Sequence, residues 1–113
     1  MAYGLDLLQE IAGRLSALGQ VEHTTMFNRP GLRTAAKVVL FLGADDRLML
    51  KLPLTRVTEL VEQGAVERVT IGNRTLREWV EVPAVEGDDA AHELCLELAS
   101  EAFVYVRALA DEA

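Results

Sequence analysis

An α+β fold with a mainly antiparallel sheet is what the sequence predicts, and three features predict it. Apolar residues recur at helical spacing near both ends of the chain and once in its middle. Between these stretches the period changes to two, in short runs bounded by Gly, Pro, Asn or Asp. The strand-like runs cluster as hairpins instead of alternating singly with helices, which argues against a parallel nucleotide-binding sheet. The expected architecture is a two-layer α/β sandwich, with a five-stranded sheet and its helices on one face. With 113 residues, half of them hydrophobic, the chain suits one core and is too short for two.

In the first segment Leu5, Leu8, Ile11, Ala12, Leu15 and Leu18 fall on one stripe, predicting a helix over about 4–18 that Gly19 ends in a left-handed conformation. Asp6, Glu10 and Arg14 interrupt it, so it is neither a signal h-region nor a membrane span. VEHTTMF, KVVLFLG and RLMLKLP then read as three strands. The second is apolar throughout from Val38 to Leu42, predicting a central strand covered on both faces. In the third, Leu48, Leu50 and Leu52 face one way and Arg47, Met49 and Lys51 the other, with Asp45 and Asp46 forming the preceding turn. Thr55 is the expected N-cap of a short helix with Val57, Leu60 and Val61 on its apolar side, ended by Gly64. A hairpin follows, VERVTI and TLREWVEVP around Gly72 and Asn73. AVEGDD at 84–89 is the one loose-looking segment. Asp88 or Asp89 caps a last helix to about Ala110, with Ala91, Leu94, Cys95, Leu98, Ala102, Tyr105 and Leu109 as its stripe.

Trp79 raises the sharpest question, because strand alternation puts it between Arg77 and Glu81, away from the core. A two-residue turn at Gly72-Asn73 sets Arg68 opposite Arg77 and Glu67 opposite Glu78, and like charges across a ladder repel. A four-residue loop from Gly72 to Thr75 avoids this and pairs Ile71 with Leu76 and Arg68 with Trp79. Either even loop gives the same faces: Val69, Ile71, Leu76, Val80 and Val82 toward the core, with Arg68, Thr70, Arg77, Trp79 and Glu81 outside. Guanidinium groups then flank the Trp79 ring. Glu78 must point inward and needs a partner, for which Arg74 is the candidate. With Arg47, Met49 and Lys51 added, the outer face mixes Met, Trp and cations as interface cores do.

Catalytic and metal constellations are weak. His92 and Cys95 stand three apart on a helix, but with only His23 and carboxylates to complete a set no metal site is expected. A mid-helix cysteine in an apolar stripe is a poor nucleophile, Ser16 and Ser100 lie on helices, and the glycines form no phosphate-binding fingerprint. No enzyme and no cofactor is therefore expected. The single cysteine cannot form an internal disulfide, which fits a reduced cytoplasm. The net charge of −7, from 18 acidic against 11 basic residues, opposes nucleic-acid binding at long range.

The stretches HTTMFNRPG, RLMLKLP and LREWVEVP, in that order, together resemble the N-terminal domain of the TfoX/Sxy family, and more distantly YjbR-like proteins. The sequence departs from that pattern at Asn28, where the family usually has glycine, and in RTAAK, where many members have a tight turn. The resemblance implies a single stand-alone domain over 1–113, regulatory and non-enzymatic. Self-association or a protein partner on the open sheet face is the leading expectation, through Arg47, Met49, Lys51, Arg68, Arg77, Trp79 and Glu81. A DNA-binding regulator module is the alternative, and a small-ligand site at the loop carrying Met26, Phe27, Asn28 and Arg29 a third.

Overall fold

The computed structural model describes residues 3–83 and 87–112. In chain order it comprises α1 (Tyr3–Ser16), β1 (Glu22–Met26), β2 (Arg29–Thr34), β3 (Lys37–Leu42), a 3-10 turn (Ala44–Asp46), β4 (Leu48–Lys51), α2 (Leu54–Glu62), β5 (Glu67–Ile71), β6 (Arg74–Val82) and α3 (Asp89–Glu112). The fold is α+β, and every strand pair is antiparallel, in the spatial order β1-β2-β3-β4-β6-β5. The sheet has six strands where the sequence pattern predicts five.

The additional strand is β2, RPGLRT, which Pro30 and Gly31 disguise as a loop. Both have physical reasons to be there. Pro30 pairs with Thr25 of β1, but the ladder to β3 begins only at Gly31, so proline's missing N–H is tolerated at this end of the strand. Gly31 stands opposite Phe41, and a Cβ on it would lie 2.6 Å from the Leu40 carbonyl oxygen and 2.9 Å from the Phe41 Cβ. Two-residue turns flank the strand, and both residues of each have positive φ: Phe27 (54°) with Asn28 (61°), and Ala35 (50°) with Ala36 (65°). That backbone matches the twist of a hairpin. RTAAK thus forms a tight turn after all, though two alanines give no hint of it. Met26, Phe27, Asn28 and Arg29 are the end, turn and start of a two-residue β-hairpin.

Two cross-strand rows carry the core. Leu40, Leu50 and Val80 form one and Leu42, Leu48 and Val82 the other, all nearly inaccessible to solvent. On them sit Leu7, Leu8, Ile11 and Leu15 of α1, Val57 and Leu60 of α2, and Cys95, Leu98, Ala102 and Val106 of α3. All three helices therefore contribute to one core on one side of the sheet. α3 touches β3 and β4 and also α1, so its buried surface is broader than one stripe and takes in Leu96, Ala99 and Phe103.

The helix ends differ in detail from expectation. α1 stops at Ser16, Leu7 is buried on it, and Leu5 and Leu18 are about half exposed. Gly19 does not have a left-handed backbone. It lies under the Phe103 ring, where a Cβ would approach to 3.1 Å. Pro53 and not Thr55 occupies the N-cap of α2, its carbonyl accepting from the Val57 N–H at 3.0 Å. Gly64 closes that helix as expected: its φ is 75°, its N–H donates to the Val61 carbonyl and the Ala65 N–H to that of Leu60. Asp88 caps α3, accepting from the Ala91 N–H at 3.1 Å. The loose segment predicted at 84–89 falls partly outside the described residues.

Candidate functional site on the helix-free sheet face

The register builds a second row on the opposite face, running across all six strands: Thr24, Gly31, Phe41, Met49, Glu81 and Glu67. None of the described helices covers it, yet Phe41 is only 3% exposed. Its cover consists of side chains. The Phe27 ring meets it edge-on at 6.0 Å between centroids, and the Trp79 ring lies tilted at 5.6 Å on the other side. Aromatic pairs in such geometries contribute about 0.5–1.5 kcal/mol each beyond area burial. Thus β3 is covered on both faces as predicted, by a helix on one and by rings on the other. Phe27 itself is 62% exposed, so the cluster is open to solvent at that end.

Trp79 owes its position to an irregularity in the last hairpin. The turn is the two-residue Gly72-Asn73 form, with Ile71 opposite Arg74, Thr70 opposite Thr75 and Val69 opposite Leu76. Continued, that register would oppose Arg68 to Arg77 and Glu67 to Glu78. Instead it shifts between Val69 and Arg68, and Arg68 pairs with Val80 and Glu67 with Glu81. Arg77, Glu78 and Trp79 form the excess length on β6, a β-bulge. The predicted four-residue loop is therefore corrected to a tight turn followed by a bulge. Ile71, expected in the core, is at the exposed hairpin end at 41%.

Of the predicted face residues, Met49, Lys51, Trp79 and Glu81 stand on adjoining positions of β4 and β6, Met49 opposite Glu81 and Lys51 opposite Trp79. Arg47 joins them through its guanidinium, which donates to Glu81 Oε1 at 2.6 Å and Glu67 Oε2 at 2.9 Å. These contacts raise the Arg47 pKa, the hydrogen bond to Glu67 foremost. Arg68 is not on this face: its partner Val80 belongs to the helix-covered row. Arg77 is exposed in the bulge beside Leu54 and Glu78. The expected guanidinium flank of Trp79 is thus replaced by the Phe41 ring and Lys51. Glu78 does find a partner, but not Arg74. The Tyr105 hydroxyl of α3 donates to Glu78 Oε2, and Lys51 Nζ lies 3.9 Å from Oε1. Burial, with this carboxylate second, pushes the Tyr105 phenol up to about 12.

Sequence reasoning missed Phe41 and Phe27 as members of the face. Phe41 is hidden in an unbroken apolar run, and the only available signal was that it shares parity with Val39 and not with its leucine neighbours.

His92 bridges α3 to α1, its Nδ1 2.9 Å from the Tyr3 hydroxyl and its Nε2 2.8 Å from Glu10 Oε1. The neutral ring fits both bonds by accepting from Tyr3 and donating to Glu10. Cys95 is inaccessible, and burial pushes its thiol up to about 11. Among the described residues no group of three or more His, Cys, Asp or Glu side chains is placed to hold a metal ion. A concavity of about 520 Å³ is an open apolar groove on the helix side lined by Leu18, Pro53, Arg56, Ser100, Glu101 and Val104. Its one guanidinium is committed, since Arg56 binds Glu101 through two nitrogens and Glu59 through the third. No helix of the described residues is long and apolar enough to cross a membrane. No protein-family model matches the chain, and no curated protein matches it.

Proposed function

We propose that the chain is a non-enzymatic interaction domain, of the kind found at the N-terminus of TfoX/Sxy proteins, that binds a second copy or a protein partner through its helix-free sheet face. The observation carrying this reading is the gathering of Phe27, Phe41, Trp79, Met26 and Met49 on that face, rimmed by Arg47, Lys51 and Glu81. Aromatic, Met and Arg side chains are those enriched in interface cores. The resemblance rests on the sequence motifs around Met26-Phe27, Arg47 to Pro53 and Leu76 to Pro83. DNA binding is less well supported, because Arg47 is already engaged by two carboxylates and Arg68 belongs to the other face.

Phe27→Asn separates association from folding. Asn tolerates the left-handed backbone that Phe27 adopts at φ 54° better than a bulky aromatic does. The hairpin is therefore retained while the exposed ring is lost. Sedimentation should show the wild-type chain associating with rising concentration and the variant doing so at least about tenfold more weakly, as loss of an interface anchor does. A wild-type chain that stays monomeric and binds no protein partner would remove the proposal.

A further inference from the structure

The chain has two lysines, Lys37 and Lys51, and both line the same cavity. It has a volume of about 310 Å³, and its other walls are Met26, Val38, Trp79, Val106 and Leu109. Its origin lies in the strand register. β3 pairs with β4 only from Leu40 to Leu42, and the β2 ladder slips at Val39, so the Lys37 end of β3 is not hydrogen-bonded to β4. The opening lies between Lys37 and Val38 on one side and Lys51 and Trp79 on the other, and the C-terminal part of α3 supplies Val106 and Leu109.

We infer that this cavity is a binding site for a small monocarboxylate with an aromatic or branched apolar body. The inference does not rest on the association proposed above, although Met26, Lys51 and Trp79 belong to both surfaces. Several arginines are held by acidic neighbours: Arg33 by Glu22, Arg47 by Glu67 and Glu81, Arg56 by Glu101 and Glu59, and Arg107 by Asp111. Lys37 has no ion-pair partner among the described residues, and Lys51 is paired with Glu78 at 3.9 Å, about as loosely as Arg107 is with Asp111 at 4.0 Å. An ammonium carries three donors, so both groups retain hydrogens for a ligand. On a chain of net charge −7, two lysines lining one cavity favour an anion locally against the field of the whole molecule. The indole of Trp79 and four aliphatic or thioether walls select an apolar body, the combination usual in ligand sites. The volume corresponds to on the order of ten heavy atoms, a water in the liquid taking about 30 Å³.

Trp79 is the only tryptophan, so its fluorescence reports on the cavity directly. Phenylacetate is the probe, with phenylacetamide as the neutral molecule of the same shape and acetate as the anion without a body. The titration is run on dilute protein that sedimentation shows to be monomeric. Phenylacetate should change the emission saturably, and both comparators should bind at least about tenfold more weakly, the difference one charge-assisted hydrogen bond makes. Lys37→Met and Lys51→Met, each checked for an unchanged melting curve, should weaken phenylacetate by a similar factor. Amide shifts in the nuclear magnetic resonance spectrum should centre on Val38, Val106 and Leu109. The assignment is overturned if phenylacetamide matches phenylacetate, if both lysine variants bind as wild type, if shifts centre instead on the Leu18 and Val104 groove, or if no saturable change occurs.

Discussion

Glu67 and Glu81 are direct cross-strand partners on β5 and β6, two carboxylates opposed in a ladder and joined by the one guanidinium of Arg47. Like charges so placed destabilise a sheet, and the bulge that removes the Arg68–Arg77 and Glu67–Glu78 oppositions creates this one instead. Arg47 therefore decides whether the register is favourable. Arg47→Met should lower the melting temperature, more at low ionic strength than at high, because the repulsion it uncovers is partly exposed and screened by salt. Glu81→Gln added to Arg47→Met should recover part of the loss. A melting temperature that ignores both salt and the second substitution would show that the three side chains are uncoupled.

Trp79→Ala exposes one face of Phe41. A fully buried aromatic costs about 3–5 kcal/mol when truncated, and Trp79 is half-buried, so a loss of roughly 2 kcal/mol in folding stability is expected. Urea unfolding reads it as a lower midpoint at constant slope. Phe41→Ala, at an inaccessible ring, should cost more than Trp79→Ala, and the reverse order would mean that Phe41 is not the centre of the cluster.

Tyr105 ties stability to alkaline pH. Its folded value of about 12 lies above the ordinary tyrosine value of about 10. A raised acid pKa means the contribution is complete below pH 10 and is lost as pH rises through 12. In an ultraviolet absorbance titration one tyrosine should ionise late, and Tyr105→Phe should abolish that late phase. The variant should also be less stable than wild type at neutral pH and approach it in strong alkali. A late phase that persists in the variant would assign it to Tyr3.

The turn at Ala35-Ala36 holds two L-residues in a left-handed backbone, each disfavoured by about 1–2 kcal/mol. Ala36→Gly should stabilise the protein by on the order of 1 kcal/mol, glycine's larger unfolded-state entropy offsetting some of the relief. Thermal unfolding measures this directly, and a destabilised variant would mean that the turn is not left-handed at that position.

The Ala35-Ala36 turn also marks where the sequence stops being legible. Gly64 and Gly72 announce a positive φ through residue type, and both have it, although the Gly72-Asn73 turn has two residues and not the four expected. Two alanines announce nothing, while Gly31 announces a turn but serves the close approach of β3 at Leu40 and Phe41, so β2 reads as a loop. The leucines of β3 and β4 reveal the core because a period of two survives every local irregularity. Arg68 and Ile71 lie off their expected faces because the register shift changes the faces midway along a strand, and no residue type there signals it. The aromatic face depends on β1–β2 pairing and on Phe41, so only its β4 and β6 part could be read in advance.

The open sheet leaves two edges, and their composition bears on how copies of the chain would meet. β1 reads EHTTM and β5 reads ERVTI, so apart from Ile71 the exposed side chains bordering the two free backbone rows are charged, hydroxylated or imidazole. Such borders hinder strand addition, the open-ended mode by which sheets grow into fibres. Pairing by the aromatic faces is different in kind. It consumes the same patch on both molecules, and a two-fold assembly built that way closes at the dimer.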